Sequence, residues 1–487
     1  MKEKLYLTIL SLLSLILFIG MVAIEKQFQA RAPEIYLEKP FVPANLIVNT
    51  DREYGPLLGV WQAFAQGGEE PGQQMLKPTI DLMKKTKPQY VRLDHIFDDD
   101  YYHVVIGRNN DGSLNLDWSR LDKTIDDILL MGAKPFLSLS YMPGMIAGSK
   151  INVPNWNDWQ DLVRQTVKHY SDNMADVYYE VWNEPSLPMF GDWKMYGAKD
   201  YRQLYYYAVL GASQANSNYN YKIGGPAIPE LDPVWIRLLF DYCLTNNLRL
   251  DFISWHRYSF DPAVFIDDVY QINILIDDPQ YQSFVSIEKI ITEWGPNSYK
   301  DSVYSSPVAA AHMLAVTRKL LDKVGWVFTF EIKDGPGQGS SGWGLLTHES
   351  VGIKEKPRFF LYDWLADFDG QRLEVLGEGS QITGLAVKKD RTVKAVLTNY
   401  SPYTPYEESF QFTFANLAGG KYRLLIQELF DQVKEQEIEA QDSLVLNLTM
   451  PAYSVVRLEL TKISGLENQN SDSALGDIYF DAHKDRF

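Results

Sequence analysis

Cysteine is almost absent from this chain, which has a single one, Cys243, among 487 residues. One thiol cannot form a disulfide within the chain, so a disulfide-stapled fold is excluded. Cys243 falls in an apolar, helix-like run, where a free cysteine behaves as a small buried hydrophobic side chain.

Histidine is also scarce, and the seven histidines are scattered without the spacing of metal ligands. The acidic run at residues 98–100 lacks the complete oxygen-ligand loop of a calcium site and is better explained as a solvated or substrate-facing loop. We therefore predict that the protein uses no metal and no cofactor.

Positive charge is in deficit, because 46 lysines and arginines stand against 63 aspartates and glutamates, for a net charge of -17. This balance excludes a basic surface for nucleic acid. The composition, 46% hydrophobic and 22% charged, is that of a globular protein. The length suffices for one large domain and a smaller one.

The N-terminus contains a long uncharged run at residues 5–24, which begins at Leu5, ends at Ile24 and follows Lys2 and Lys4. Twenty helical residues span roughly the 30 Å core of a bilayer. A cleaved signal peptide with its site near residues 30–32 is the alternative, but its apolar region is usually shorter. We predict an uncleaved anchor that leaves the rest of the chain outside the cytoplasm, at the cell surface or in the periplasm.

Short apolar strands alternate with amphipathic helices from residue 57 onwards, which indicates a parallel sheet covered by helices. Eight strands and about 300 residues predict a (β/α)₈ TIM barrel. An open doubly wound sheet is the alternative, yet no phosphate-binding loop follows the first strand. The glycine-rich segment 337–342 comes after the last strand and opens no helix, so we interpret it as a rim loop. The predicted strands are 57–64, 90–96, 134–140, 177–181, 221–224, 250–256, 289–292 and 325–330.

Helical patterns disappear after residue 365, and short alternating strands predict a C-terminal antiparallel β-sandwich. The predicted organisation, from the N-terminus, is an anchor and linker at 1–32, a strand-like segment at 33–56 that could join the sandwich, the barrel at 57–365, the sandwich at 366–462 and a mobile tail at 463–487.

Two of the predicted strands end in a glutamate. Strand four is followed by Asn183, Glu184 and a proline, and strand seven by Glu293, Trp294 and a Gly-Pro pair. Strand ends at the carboxyl side of a parallel barrel converge on one cleft, where active sites of this fold lie. Two carboxyl groups about 5 to 5.5 Å apart can carry out double displacement at a sugar carbon, one as acid and one as nucleophile. Ordinary surface carboxylates are the alternative for each glutamate alone.

Several collinear segments resemble a retaining glycoside hydrolase of clan A, and within that clan family 39. This family includes β-xylosidases, α-iduronidases and bacterial enzymes that act on exopolysaccharide. The resemblance covers residues 57–365. Its segments are VRLDH at 91–95, KPF at 134–136 leading to MP at 142–143, WNEP at 182–185, GGPA at 224–227, DFISWH at 251–256 and ITEW at 291–294.

The resemblance implies roles for individual residues. Glu184 corresponds to the general acid/base and Glu293 to the nucleophile, with Arg92 neutralising and orienting the nucleophile. Asn183 is expected to hold the sugar 2-hydroxyl, and His256 and Tyr258 to support the nucleophile and line the site. Further candidates for substrate binding are Asp94, His95, Tyr141, Trp294 and Trp343.

Two segments depart from the family pattern. Asp94 stands where the xylosidases usually have a histidine, and strand eight continues from Phe330 into EIKDG at 331–335. Xylose specificity is therefore open, and endo-acting hydrolysis of cell-surface or secreted polysaccharide stands beside exo-acting β-xylosidase-like activity. A carbohydrate-binding protein on an inactive barrel is the non-enzymatic alternative, although binding alone needs neither glutamate.

Overall fold

The computed structural model describes residues 40–68, 70–337, 342–403, 406–465 and 479–481. The described residues from Pro43 onwards belong to one compact unit. The predicted anchor at residues 5–24 and most of the glycine-rich loop at 337–342 lie outside the described residues. Within the described ranges, no helix is both long and apolar enough to cross a membrane.

Eight parallel strands close into a barrel, which confirms the predicted (β/α)₈ core. We number them barrel strands 1 to 8 in chain order. Barrel strand 1 begins later than predicted, because residues 58–62 form tight turns in which Val60 and Gln62 donate backbone hydrogen bonds to residues two and three positions earlier. The strands are Ala63–Gln66, Tyr90–Leu93, Lys134–Leu139, Val177–Val181, Tyr221–Ile228, Phe252–Tyr258, Glu288–Gly295 and Trp326–Phe330.

Helices connect the barrel strands, and several begin at an aspartate whose side chain accepts a backbone N–H from the first turn. Asp232 and Asp261 do so, each followed by a proline that lacks the N–H a first-turn residue would leave unpaired. The main helices are Ser119–Met131, Trp156–Ser171, Tyr201–Gln214, Pro233–Asn246, Pro262–Ile276, Pro307–Leu320 and Pro357–Ala366, with shorter turns at Ile80–Met83 and Gly144–Ala147.

The barrel interior is built in layers, because inward-facing side chains recur at every second residue of a strand. The lower layer is apolar and largely aromatic, and includes Tyr90, Phe136, Tyr178, Phe252 and Phe328. Two residues further along their strands lie polar side chains that are also buried: Arg92, Ser138, Glu180 and Ser254. The candidate site therefore stands on a buried aromatic layer.

A second, ten-stranded sheet contains the C-terminal strands and is consistent with a β-sandwich, since its inward residues form a separate apolar core. The strands of the predicted sandwich pair antiparallel with one another, as predicted, whereas two strands from outside its predicted range add parallel pairs. Asn45–Pro56 pairs parallel with Glu408–Ala415, and Tyr479–Asp481 pairs parallel with Ser443–Met450. Along the sheet the order is Lys434–Ala440, Gly420–Glu428, Val455–Gly465, Thr392–Asn399, Ile382–Lys389, Gln371–Leu376, Asn45–Pro56, Glu408–Ala415, Ser443–Met450 and Tyr479–Asp481.

The parallel pairings come from the two ends of the chain. Asn45–Pro56, which precedes the barrel, also pairs antiparallel with Gln371–Leu376, which follows it. Tyr479–Asp481 forms an edge strand within the tail that was predicted to be mobile.

Candidate active site

Glu184 lies immediately beyond barrel strand 4, where the backbone turns sharply. Trp182 and Glu184 both have left-handed backbone angles, with φ of 77° and 43°, which non-glycine residues adopt rarely. Hydrogen bonds hold this turn, since the Glu184 N–H donates to Ala227 O at 2.9 Å and Trp182 Nε1 donates to Phe190 O at 2.7 Å. The strand end therefore presents the Glu184 side chain at the barrel mouth.

Glu293 reaches the mouth through an irregularity in barrel strand 7. The pairing of this strand with barrel strand 6 shifts by one residue between Ile291 and Glu293. Such a bulge changes which face a side chain takes. Ile290 points into the barrel floor, so strict alternation would send Glu293 outward, whereas the bulge brings it into the cleft and sends Trp294 outward.

Glu184, His256 and Glu293 meet at the mouth. One oxygen of each carboxyl group and a ring nitrogen of His256 all lie within 4.8 Å of one another. His256 Nδ1 is 2.9 Å from Glu184 Oε1 and 3.4 Å from Glu293 Oε2. The imidazole is fully buried and bridges the two carboxyl groups.

Arg92 and Tyr258 hold the Glu293 carboxyl group from two sides. Arg92 Nη1 donates to Glu293 Oε1 at 2.9 Å, and the Tyr258 hydroxyl donates to Glu293 Oε2 at 3.0 Å. Burial raises the pKa of Tyr258 well above its ordinary value, so the phenol stays a donor. Both oxygens of Glu293 are thus fixed by groups on other barrel strands, Arg92 on strand 2 and Tyr258 on strand 6.

Arg92 also binds Glu180 of barrel strand 4 and Asn183, which lies just beyond the end of that strand. Its Nε donates to Glu180 Oε2 at 2.7 Å, and its Nη2 donates to Asn183 Oδ1 at 2.7 Å. Burial disfavours the guanidinium charge, but Glu180 and Glu293 outweigh burial and raise the pKa of Arg92 above its ordinary value. Asn183 in turn donates from Nδ2 to the Tyr141 hydroxyl at 3.0 Å, which sets the orientation of its amide.

Burial controls the protonation of Glu293 and His256 in opposite ways. Burial raises the pKa of Glu293, and this effect outweighs the lowering by the neighbouring His256 and Arg92. For His256 burial alone would lower the pKa, but the neighbouring Glu293 and Glu184 raise it above the ordinary histidine value. Protonation of the His256 imidazole and of the Glu293 carboxyl group is therefore favoured relative to the same side chains in water.

A cleft of about 620 Å³ opens above the pair. One wall carries Met189 and Phe190, and another carries Phe330 and Trp343, so apolar faces border the carboxyl groups. Polar residues line the remainder: Asp94, His95, Asn183, Glu184, Glu230, Arg257, Tyr258, Glu293 and Ser298.

The predicted site residues fall into three groups. The cleft is lined by Glu184, Glu293, Asn183, Tyr258, Asp94, His95 and Trp343. Arg92, His256 and Tyr141 are buried behind it and contact residues that line it. Trp294 does not reach the cleft: it packs against Phe265 and His312, with ring centroids 5.8 Å apart in both pairs, because the bulge turns it outward.

Glu180 was not predicted as a site residue, although it is fully buried and binds Arg92. A signal was present, since Glu180 is an acidic residue within the apolar run Val177–Val181, on the same face as Tyr178. Arg257 was also missed. It lines the cleft and is held by Asp268 through hydrogen bonds of 2.6 and 2.7 Å.

Within the part of the chain that the structure describes, two clusters have the ligand types of a metal site: Glu184, His256 and Glu293, and a second made of Glu70, His348 and Glu349. In the first, Arg92 already supplies a cation to Glu293. In the second, the buried Lys333 ammonium lies 3.0 Å from Glu70 and 2.7 Å from Glu349 and takes the place a cation would occupy. The absence of a metal requirement stays a prediction.

Comparison with known proteins agrees with this geometry. The chain is 29% identical over 358 residues to a β-xylosidase from Caldicellulosiruptor saccharolyticus, a match that covers 66% of this chain and 70% of the relative. It is 25% identical over 384 residues to a β-xylosidase from Geobacillus stearothermophilus, with 69% and 73% covered.

Solved structures share the fold. A monomeric β-xylosidase from Caulobacter crescentus superposes with a TM-score of 0.72 at 21% identity, over 86% of this chain and 100% of that one. A family 39 enzyme from Xanthomonas axonopodis pv. citri gives a TM-score of 0.71 at 19% identity, over 87% and 98%. The model of glycosyl hydrolases family 39 matches residues 46–310, more than half of the sequence, and the chain therefore belongs to this family of clan A glycosidases.

Proposed function

We propose that this glycosidase is a retaining O-glycoside hydrolase that acts by double displacement, with Glu293 as nucleophile and Glu184 as general acid/base. The spacing of the two carboxyl groups carries the proposal, because their facing oxygens lie within 4.8 Å. Retaining glycosidases keep these groups about 5 to 5.5 Å apart, whereas inverting ones need about 6.5 to 9.5 Å to admit a water molecule.

In the first step a Glu293 oxygen forms a bond to the anomeric carbon while the bond to the leaving oxygen breaks and Glu184 gives that oxygen its proton. In the second step Glu184 takes a proton from water, the water oxygen bonds to the anomeric carbon, and Glu293 departs as a carboxylate. Arg92 and Tyr258 keep the Glu293 oxygens in place. Asn183 lines the cleft and retains a second amide hydrogen for the sugar 2-hydroxyl.

The substrate we propose is a cell-surface or secreted polysaccharide, or an oligosaccharide derived from it. The curated relatives are β-xylosidases, which supports exo action on xylosides. The aromatic pair Phe330 and Trp343 at the cleft supports binding of a longer chain, because sugar faces stack on aromatic rings.

The stereochemistry of the wild-type reaction tests the mechanism. In ¹H NMR of the hydrolysis of a 4-nitrophenyl glycoside, the first-formed sugar should have the anomeric configuration of the substrate. An inverted first product would reject double displacement and both assigned roles. A panel of chromogenic glycosides and intact polysaccharides, read by product length, then separates exo from endo action.

We also propose that residues 5–24 anchor the protein in a membrane, with the catalytic domain outside the cytoplasm. The length of the uncharged run and the preceding Lys2 and Lys4 support this location. The full chain should sediment with membranes and resist carbonate extraction, whereas a version lacking residues 1–32 should not. A mature form beginning near Pro33 would show cleavage instead.

A further inference from the structure

The guanidinium of Arg92 divides its hydrogen bonds among three different side chains. Nε binds Glu180 at 2.7 Å, Nη1 binds Glu293 at 2.9 Å and Nη2 binds Asn183 at 2.7 Å. An arginine paired with one carboxylate usually uses two parallel bonds, which fix the pair but not its surroundings. Here the planar group is fixed by three oxygens around its edge.

We propose that Glu180 is a positioning residue for the reaction: it fixes the plane of the Arg92 guanidinium and takes part of its charge, so that Glu293 is held in place while its carboxylate stays more basic and more nucleophilic than Arg92 alone would leave it. The inference rests on the proposed function, because it assigns Glu180 a part only through the nucleophile.

The placement of Glu180 supports an indirect part. It is fully buried, does not line the cleft, and faces the barrel interior two residues after Tyr178 of the aromatic floor. Arg92 Nε is the guanidinium nitrogen nearest the side-chain stem, so the carboxylate that captures it determines where Nη1 and Nη2 point. With Glu180 in place, Nη1 meets Glu293 and Nη2 meets Asn183.

The charge balance supports the second half of the proposal. Glu180 and Glu293 share one guanidinium, so the three groups carry a net charge of about -1 when both carboxyl groups are ionised. The other Glu180 oxygen, Oε1, is buried without a hydrogen-bond partner among the described residues. The Glu180 carboxylate therefore interacts mainly with Arg92. With a neutral residue at position 180, Arg92 would attract the Glu293 carboxylate without competition from Glu180.

Other ionisable groups also act on the two carboxylates and remain in place in every variant below. Those that influence Glu293 are Arg92, Asp94, Tyr141, Glu184, His256, Tyr258 and Tyr304, and those that influence or respond to Glu180 are Arg92 and Tyr201. The effect of Glu180 is therefore measured as a difference between variants.

The test follows covalent labelling of Glu293, as a function of pH, by the 2,4-dinitrophenyl 2-deoxy-2-fluoro glycoside of the sugar that the chromogenic panel identifies as substrate, beginning with the β-D-xyloside. Labelling joins a Glu293 oxygen to the anomeric carbon, and dinitrophenolate leaves without needing a proton from Glu184. Peptide mass spectrometry identifies the labelled residue, and released dinitrophenolate gives the rate. The variants are Glu180→Gln, which keeps size but loses charge, and Glu180→Asp, which keeps charge but shortens the reach.

Glu180→Gln should move the acid limb of the labelling rate down by about one pH unit, because Arg92 then stabilises the Glu293 carboxylate alone. Glu180→Asp should leave the limb in place and lower the rate by about 10²-fold, the scale of a small misplacement of a reacting group. Glu288→Gln, on the same strand as Glu293 but at the barrel floor, is the control and should change neither.

If the wild type is labelled at Glu293 but the acid limb of the labelling rate does not move in Glu180→Gln, the inference is overturned and the proposed function stands. A wild-type rate in Glu180→Asp would overturn the positioning part. If the wild type were labelled at a residue other than Glu293, or at none, the proposed function would fail and this inference with it. A fold defect in Glu180→Gln would leave Glu180→Asp and its rate as the deciding measurement.

Discussion

The two ends of barrel strand 7 carry a glutamate with the same kinds of partner in different surroundings. At the floor, Glu288 lies 2.6 Å from the Lys222 ammonium and 3.0 Å from the Tyr178 hydroxyl, and the Glu288 and Lys222 side chains are 20% and 44% exposed. At the mouth, Glu293 lies 2.9 Å from Arg92, and their side chains are 9% and 1% exposed.

Exposure separates a structural ion pair from a reactive one. Water solvates the floor pair and screens it, so such a pair contributes at most about 1 kcal/mol to stability. At the mouth the two side chains are almost fully buried and each charge depends mainly on its protein neighbours, which allows burial to raise the pKa of Glu293. The mouth is therefore suited to chemistry and the floor to holding strands together.

Removing Glu293 at the mouth and Glu288 at the floor should give the largest difference in activity between two variants. Glu293→Ala should reduce hydrolysis by about 10⁴-fold or more, because without the nucleophile no glycosyl-enzyme can form. Glu288→Ala should leave kcat/KM within a few fold of wild type and lower the melting temperature slightly. Steady-state assays and thermal melts check both, and equal loss of activity in the two variants would contradict the division between mouth and floor.

Removal of Glu184 should affect substrates unequally. Glu184→Ala should lower the rate on unactivated glycosides by about 10² to 10⁴-fold, the range for a positioned acid/base group, but should still release dinitrophenolate in a burst. Azide should rescue turnover and give a glycosyl azide of retained configuration. Azide rescue of Glu293→Ala would instead give the inverted azide. The product configurations, read by NMR, assign the two roles independently.

The acid limb of kcat/KM should reflect the buried nucleophile. Because burial raises the pKa of Glu293 and the ionised form attacks, activity should fall with decreasing pH at values above the ordinary glutamate pKa. Tyr258→Phe removes a donor to the carboxylate and should move this limb up by about one pH unit, the value of one hydrogen bond to a charged group. A limb that moved down would contradict the contact between Tyr258 and Glu293.

The smallest effects on activity should come from two tryptophans, one partly exposed at the cleft and one buried. Trp343→Ala should raise KM by about 2 to 10-fold, the scale of one aromatic contact, with little change in stability. Trp294→Ala should leave KM nearly unchanged but destabilise the fold by about 3 to 5 kcal/mol, as expected for a buried large aromatic side chain. Denaturant titration and saturation kinetics of the same two variants check the distinction.

Features that repeat along the chain, and residues that stand at the ends of strands, could be predicted from the sequence. The alternation of strands and helices indicated the barrel, and the breaks after Glu184 and Glu293 indicated the strand ends on which both glutamates lie. Glu293 was predicted at the mouth because it ends a strand, although its inward direction depends on a bulge. The same bulge turns Trp294 outward, which is why this residue does not line the cleft as the sequence analysis expected.

Long-range features were harder to predict. Arg92 was expected at Glu293 from the family pattern, but its bond to Glu180 joins positions 88 residues apart, and no local pattern reports such a pair. The net direction of the Glu293 pKa likewise depends on how much water the folded cleft excludes. The parallel pairing of Asn45–Pro56 with Glu408–Ala415 has no sequence signal, because the alternation of a strand is the same in both directions.

The position of Asn45–Pro56 in the sheet has a consequence for synthesis. This strand leaves the ribosome before the barrel, yet its partners, Gln371–Leu376 and Glu408–Ala415, follow the barrel, and the hydrogen bond between Asn49 and Glu374 spans 325 positions. Until translation is nearly complete, the segment has two unpaired edges open to other chains. Nascent chains stopped after the barrel should therefore depend on chaperones to stay unaggregated, even where the barrel itself has already folded.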